Sequence, residues 1–265
     1  MNAITSGDGT RLAVYQRGAG VPLVLVQGTG AARPDAWPAF AALAGQFQVT
    51  IMDRRGRGES GDGEVYALAR EVEDVAALVD AVADAARGPV NVLGHSFGGL
   101  LALEAALLTD NVRKLALYEP ALPAPGNRFF ETVFIDEIQA MLDNGNVEGV
   151  LATTYRDAGM TEEEIAQLKA SPAWAERLAA AHTIPREARS FEHYTFDAQR
   201  FQDLTVPVLL LMGAGSKDMF KKSIDMAHAA LPDSRIAVLQ GQEHIAMYTA
   251  PDLFVAEVEG FLCGS

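Results

Sequence analysis

Residues 22–26 read Pro-Leu-Val-Leu-Val, five apolar positions in a row with no polar face. A strand of this kind must be covered on both sides, as an inner strand of a parallel sheet layered between helices is. Similar runs recur at 48–52 (QVTIM), 90–93, 114–118 (KLALY), 206–212 (VPVLLLM) and 235–239 (RIAVL), with a further strand at 11–16. Helical patterns fall between them. Residues 64–86 place Leu68, Val72, Val75, Leu78, Val79 and Val82 at helical spacing, which gives one apolar face. Gly88-Pro89 stops that helix. Helices are also predicted at 36–46, 97–108, 221–231 and 251–262. Strand and helix in alternation predict an α/β fold with a doubly wound, mostly parallel sheet.

Between 121 and 204 the alternation stops. Helical patterns follow one another at 129–144, 147–158, 161–170 and 172–181. Thr161 and Glu164 make a capping box, and Ser171-Pro172 reads as an N-cap and a first helical residue. The chain is therefore read as one domain over 1–265, with a core from 1–120 and 205–265. Residues 121–204 are expected to form a helical cap over the site, with Phe129, Phe130, Phe134, Trp174, Phe191 and Tyr194 as candidate lining.

With 21 Lys and Arg against 35 Asp and Glu, the net charge is −14, which argues against binding nucleic acid or anionic lipid. A small-molecule substrate is the expected partner. Cys263 is the single cysteine, so neither an intramolecular disulfide nor a cysteine metal site can be built, and no metal is expected. The first residues lack the basic and apolar regions of a leader, and apolar stretches such as 206–213 are too short to span a bilayer. A cytoplasmic location and no membrane association are expected.

Gly94-His95-Ser96-Phe97-Gly98 lies between a predicted strand and a predicted helix. In that context G-x-S-x-G puts a serine on a sharp turn, with its hydroxyl exposed and the glycines clearing space around it. The helix that follows favours negative charge developing at its N-terminus. His244 follows the last predicted strand, from which it can reach the serine across the C-terminal edge of the sheet and act as general base. His95 is expected to point elsewhere; His182, His193 and His228 read as surface residues. Gln27-Gly28-Thr29-Gly30, after the 22–26 strand, can offer backbone N–H groups. The expected oxyanion hole is the N–H of Thr29 with that of Phe97. Neither a dinucleotide G-x-G-x-x-G nor a Walker A pattern is present.

Together these residues resemble the α/β-hydrolase superfamily over nearly the full length. The resemblance is strongest to bacterial members with the D-R-R-G-R-G-x-S turn, here Asp53 to Ser60, and the Y-E-P turn, here Tyr118-Glu119-Pro120. Pro172-Ala173-Trp174 and Pro185-Arg186-Glu187 are similar to that group's cap. The resemblance implies an eight-stranded sheet, a helical cap after strand six, and hydrolysis of an acyl ester, thioester or lactone without a cofactor. It also implies non-hydrolytic alternatives within the same fold, namely a cofactor-free lyase or oxygenase, or a ligand receptor. Two positions depart from the family pattern. Gln27 replaces the usual histidine before Gly28, and Ser216 occupies the usual slot of the catalytic acid in Gly213-Ala214-Gly215-Ser216. Two carboxylates remain as partners for His244. Glu119 follows the sixth strand on the same sheet edge as Ser96, and some superfamily members place their acid there. Asp218 needs a shifted loop. The strand end holds an acid more rigidly, which favours Glu119 over Asp218. Asp53 is less suited, because its neighbouring arginines suggest a structural ion pair.

Overall fold

The computed structural model describes residues 2–31, 38–124 and 129–264. Its strands are β1 (Ala3–Thr5), β2 (Arg11–Arg17), β3 (Val21–Val26), β4 (Phe47–Met52), β5 (Val90–His95), β6 (Val112–Tyr118), β7 (Val208–Gly213) and β8 (Ser234–Leu239). They form one eight-stranded sheet in the order β1-β2-β4-β3-β5-β6-β7-β8. β2 pairs antiparallel with β1 and β4, and every other neighbouring pair is parallel. Each apolar run in the sequence is a strand. β1 is the addition: at three residues it is too short to show a pattern, and it is held by its register against β2.

The helices are α1 (Pro38–Gln46), α2 (Leu68–Ala86), α3 (Phe97–Ala105), α4 (Thr132–Asp143), α5 (Val147–Asp157), α6 (Glu162–Lys169), α7 (Trp174–Ala180), α8 (Ile184–Ser190), α9 (Asp218–Ala230), α10 (Ala246–Thr249) and α11 (Pro251–Leu262). Side chains alternate along the inner strands. Val24, Val26, Val90 and Val92 pack with Val75, Leu78, Val79 and Val82 of α2. Leu23, Leu25 and Leu93 pack on the other face with Phe40 and Leu43 of α1 and Phe254 and Val258 of α11. Each such Val or Leu contributes roughly 1.5–3 kcal/mol by leaving water.

Some boundaries differ from those the sequence suggests. α2 begins at Leu68 rather than 64, and α9 begins at Asp218. The first two residues of the helix expected over 36–46 lie outside the described residues. Ser171 does not cap the helix after it: its hydroxyl donates to Leu168 O (2.7 Å) at the end of α6, and α7 starts at Trp174. α8 has no clear sequence signal, because Pro185 reads as a breaker. At the second helical position it is tolerated, since that N–H has no partner within the helix.

β3 lies between β4 and β5. The chain therefore winds outward from β3 to β4 and then returns past β3 to β5. At such a reversal the C-terminal ends of adjacent strands leave a crevice where open α/β sheets bind ligands.

α4 to α8 all fall between β6 and β7, and buried charge fastens them to the core. Arg54 holds Glu71 of α2 through Nε (2.6 Å) and Nη2 (2.8 Å), and Arg55 holds Asp74 the same way (2.7 and 2.8 Å). Glu187 of α8, fully buried, lies against Arg54 (3.5 Å) and pairs with Arg57. Arg57 Nε also donates to Thr183 Oγ1 (3.1 Å). The arginine-rich turn is thus a clasp between sheet and insertion. Asp53 accepts from the Tyr15 hydroxyl (2.9 Å) and from Glu59 N–H (2.9 Å), while the arginines beside it take their carboxylates from α2 and α8.

Candidate active site

Ser96 stands between β5 and α3 with φ 55° and ψ −122°, a conformation that costs a non-glycine residue energy and is held only when its surroundings demand it. The surroundings do. Ser96 N–H donates to Tyr118 O (2.9 Å), and its own carbonyl accepts from Gly99 and Ala121 (2.9 and 3.0 Å). A Cβ on Gly98 would come within 2.3 Å of Val26 O, and one on Gly94 within 2.8 Å of Gly99 Cα. The two glycines of the motif therefore let α3 press its first turn against β3 and β5. Gly28 approaches closely as well, since a Cβ there would stand 3.0 Å from Ser96 Cβ. This sets the turn carrying Thr29 beside the serine, and Phe97 begins α3, so its N–H has no helical partner.

Glu119 leaves β6 with φ 44° and a fully buried side chain. A buried carboxylate is costly unless its oxygens are satisfied, and here they are. Oε1 accepts from Gly213 N–H (2.7 Å) and from the Ser216 hydroxyl, and Oε2 lies 2.6 Å from His244 Nδ1. A carboxylate can only accept, so Nδ1 carries the proton and Nε2 is left as the basic nitrogen. Ser216, in the slot where the family commonly has its acid, instead donates its hydroxyl to the Glu119 carboxylate. Asp218, the alternative carboxylate, is the first residue of α9; its side chain is 88% exposed and lies 3.9 Å from Lys221. It is not brought to His244.

The loop bearing His244 is tied from below. The Tyr118 hydroxyl donates to Glu243 O and accepts from Ala246 N–H (3.2 Å). His95 Nε2–H donates to His244 O (2.9 Å), with the two rings 4.6 Å apart. Burial, then the nearby His244 and Arg177, hold the His95 pKa well below the ordinary histidine value, so the ring is neutral. The expectation that His95 points away from the site is thus corrected: it supports the loop and lines the cleft. Phe220 stacks on His244 at 4.0 Å. His182, His193 and His228 are exposed, as expected.

Thr29, Ser96, Phe97 and His244 border one cleft enclosing about 760 Å³ including its mouth. Phe129, Phe130 and Phe191 line it; the other three candidates do not. Phe134 stacks on Phe130, Trp174 lies near Lys169, and the Tyr194 hydroxyl donates to Glu104 (2.7 Å). Tyr155, Arg177 and Tyr248 were not foreseen. Tyr155 OH (2.8 Å) and Arg177 Nη1 (3.0 Å) both donate to Gly30 O, next to Thr29. Burial works against the charge of Arg177, and the Tyr155 and Tyr248 hydroxyls outweigh it, so its pKa lies above the ordinary guanidinium value. The one available signal for Arg177 is its place on the apolar stripe that Trp174 and Leu178 of α7 form with Ala181 just after it. Among the described residues no cluster of His, Cys, Asp or Glu is arranged to hold a metal, and no helix is long and apolar enough to cross a membrane.

The family model described as the alpha/beta hydrolase family matches residues 23–257. The chain belongs to the α/β hydrolase family. A solved α/β hydrolase from Sphaerobacter thermophilus is 31% identical and superposes with a TM-score of 0.81, covering 98% of this chain and 99% of that one. A protein of Azorhizobium caulinodans assigned as the carbamate hydrolase RutD is 29% identical over 93% of this chain and 92% of its own. The 2-(acetamidomethylene)succinate hydrolase of Mesorhizobium japonicum is 23% identical over 95% of this chain and 91% of its own. The named relatives of this α/β hydrolase are thus hydrolases.

Proposed function

We propose that the protein is a serine hydrolase that cleaves a small or medium acyl ester, thioester or lactone through an acyl-enzyme intermediate. The observation that carries this reading is the buried Glu119–His244 pair at 2.6 Å on the cleft that also holds the strained Ser96. Ser96 Oγ attacks the substrate carbonyl carbon while its proton passes to His244 Nε2. Glu119 stabilises the imidazolium so formed. The N–H groups of Thr29 and Phe97 donate to the oxyanion, at the N-terminus of α3 where negative charge is favoured. Collapse breaks the bond to the leaving group, which takes the proton from His244. Water activated by the same histidine then releases the acid and restores Ser96. The insertion between β6 and β7 acts as the cap that shapes the acyl pocket.

Two relatives are named for a carbamate and an acetamidomethylene succinate, and amide-type C–N bonds therefore belong in the same test. Turnover of p-nitrophenyl esters, lactones, acyl thioesters and N-acyl enamines by the wild type and by S96A examines the proposal. Turnover of at least one class, lost in S96A, is expected. No turnover of any class, or equal turnover by S96A, overturns it.

A further inference from the structure

Arg54, Arg55 and Arg177 are all buried, with at most 3% of each residue exposed. Arg54 and Arg55 each spend the edge formed by Nε and Nη2 on a carboxylate, Glu71 and Asp74 respectively. That edge presents two parallel N–H groups matched to the two oxygens of a carboxylate. Arg177 differs. Its Nη1 donates to Gly30 O (3.0 Å) and Tyr155 OH (2.7 Å), and its Nη2 donates to Tyr248 OH. These acceptors are neutral. Of the five guanidinium N–H groups, Nε–H and one on Nη2 remain, and Nε is buried with no hydrogen-bond partner. No carboxylate among the described residues pairs with Arg177.

A buried guanidinium normally comes with its counter-ion, because desolvated charge is costly alone. Arg177 lines the cleft that holds Ser96 and His244, and its charge is felt at His95 beside the serine. The acidic wall residue, Asp157, stands beside Lys217, whose Nζ donates to the Asp157 carbonyl, and it does not neutralise Arg177. The missing counter-ion is a place for a ligand's charge.

We propose that Arg177 binds a carboxylate carried by the substrate, so that the cleft selects monoanionic acyl compounds over neutral ones of the same shape. The carboxylate takes the Nε/Nη2 edge, in the manner of Glu71 on Arg54, with Tyr248 giving way at Nη2. This rests on the reading of the cleft as a hydrolase active site, and it deepens that reading by naming the substrate class.

The test compares kcat/KM for 4-nitrophenyl hydrogen glutarate against 4-nitrophenyl pentanoate, and for 4-acetoxybenzoate against phenyl acetate. The two pairs put the carboxylate on the acyl side or on the leaving group. In the wild type at least one pair favours the anion by about tenfold or more. In R177Q that preference falls by on the order of 10²-fold, as loss of one partner of a desolvated charge pair gives, and R177K restores part of it. Equal losses for anionic and neutral substrates, the outcome of a purely structural role at Gly30, overturn the proposal. So does a wild type that prefers the neutral ester in both pairs, a result that needs no variant to fold. Titration of S96A with monomethyl glutarate separates this proposal from the hydrolase reading. Binding to S96A that is weakened at least tenfold in S96A/R177Q supports the carboxylate site even if no ester is turned over. No binding to S96A overturns it even if esters are hydrolysed.

Discussion

Ser96, Glu119 and His244 stand on turns that leave strand ends, whereas Tyr155 and Arg177 stand on helices of the insertion. The turn residues are gripped by backbone. Ser96 and Glu119 carry positive φ, and Ser96 N–H, Glu119 N–H and the carbonyls around His244 are all engaged by neighbouring strands or side chains. The insertion is held by side chains instead: Glu187 on Arg54 and Arg57, and Tyr155 and Arg177 on Gly30 O. Rigid backbone suits groups that must meet within a few tenths of an ångström during reaction. Side-chain anchorage suits a wall that can be reshaped without disturbing the turns at the sheet edge. Damage at the sheet edge should therefore appear in turnover, and damage to the insertion in stability or selectivity.

The largest effect expected is at the proposed nucleophile and base. S96A and H244A should each lose on the order of 10³-fold or more in kcat, and the double variant should lose little further because the pair acts as one unit. Additive losses in steady-state kinetics would break the comparison. E119Q should cost roughly 10²- to 10⁴-fold in kcat, whereas D218N should stay within about twofold of the wild type, since exposed surface changes rarely matter. The reverse order would move the acid to the α9 loop. E187A should lower unfolding stability by about 3–5 kcal/mol in urea titration, because it leaves Arg54 and Arg57 facing each other without their shared carboxylate. If it instead removes turnover at unchanged stability, the insertion reaches the chemistry more directly than this division allows. The smallest loss expected at the sheet edge sharpens the comparison most finely. S216A should reduce kcat by about 10-fold, the scale of one hydrogen bond to a charged group, through a less firmly held Glu119 carboxylate.

The two regions also differ in how readable they are. The inner strands and the G-x-S-x-G turn were legible because the requirement there is local: dense apolar runs need two covered faces, and Gly94 and Gly98 are dictated by contacts under 3 Å. Glu119 was favoured over Asp218 for a similar reason, since a residue directly after a strand has a known edge and direction, and it is the carboxylate that meets His244. β1 was missed because three residues, Ala-Ile-Thr, carry no period. Ser171 was misassigned because Ser-Pro fits a helix start as well as the stop it makes after α6. In the insertion, helical spacing reports that a position is buried but not what it meets. Phe134 and Trp174 are aromatic candidates just as Phe129, Phe130 and Phe191 are, yet only the last three reach the cleft. Arg177 is the extreme case, a charge on an apolar stripe whose partners lie 22 to 147 residues away in the chain.

Covalent labelling tests the central claim, that Ser96 is an activated nucleophile served by His244 and Glu119. The protein is incubated with an alkyl fluorophosphonate, digested, and the adduct located by peptide mass, with H244A and E119Q treated alongside. The account requires a single adduct on Ser96 in the wild type, formed much more slowly in H244A and more slowly in E119Q. An unlabelled wild type, an adduct on another residue, or equal labelling rates in all three proteins would contradict it.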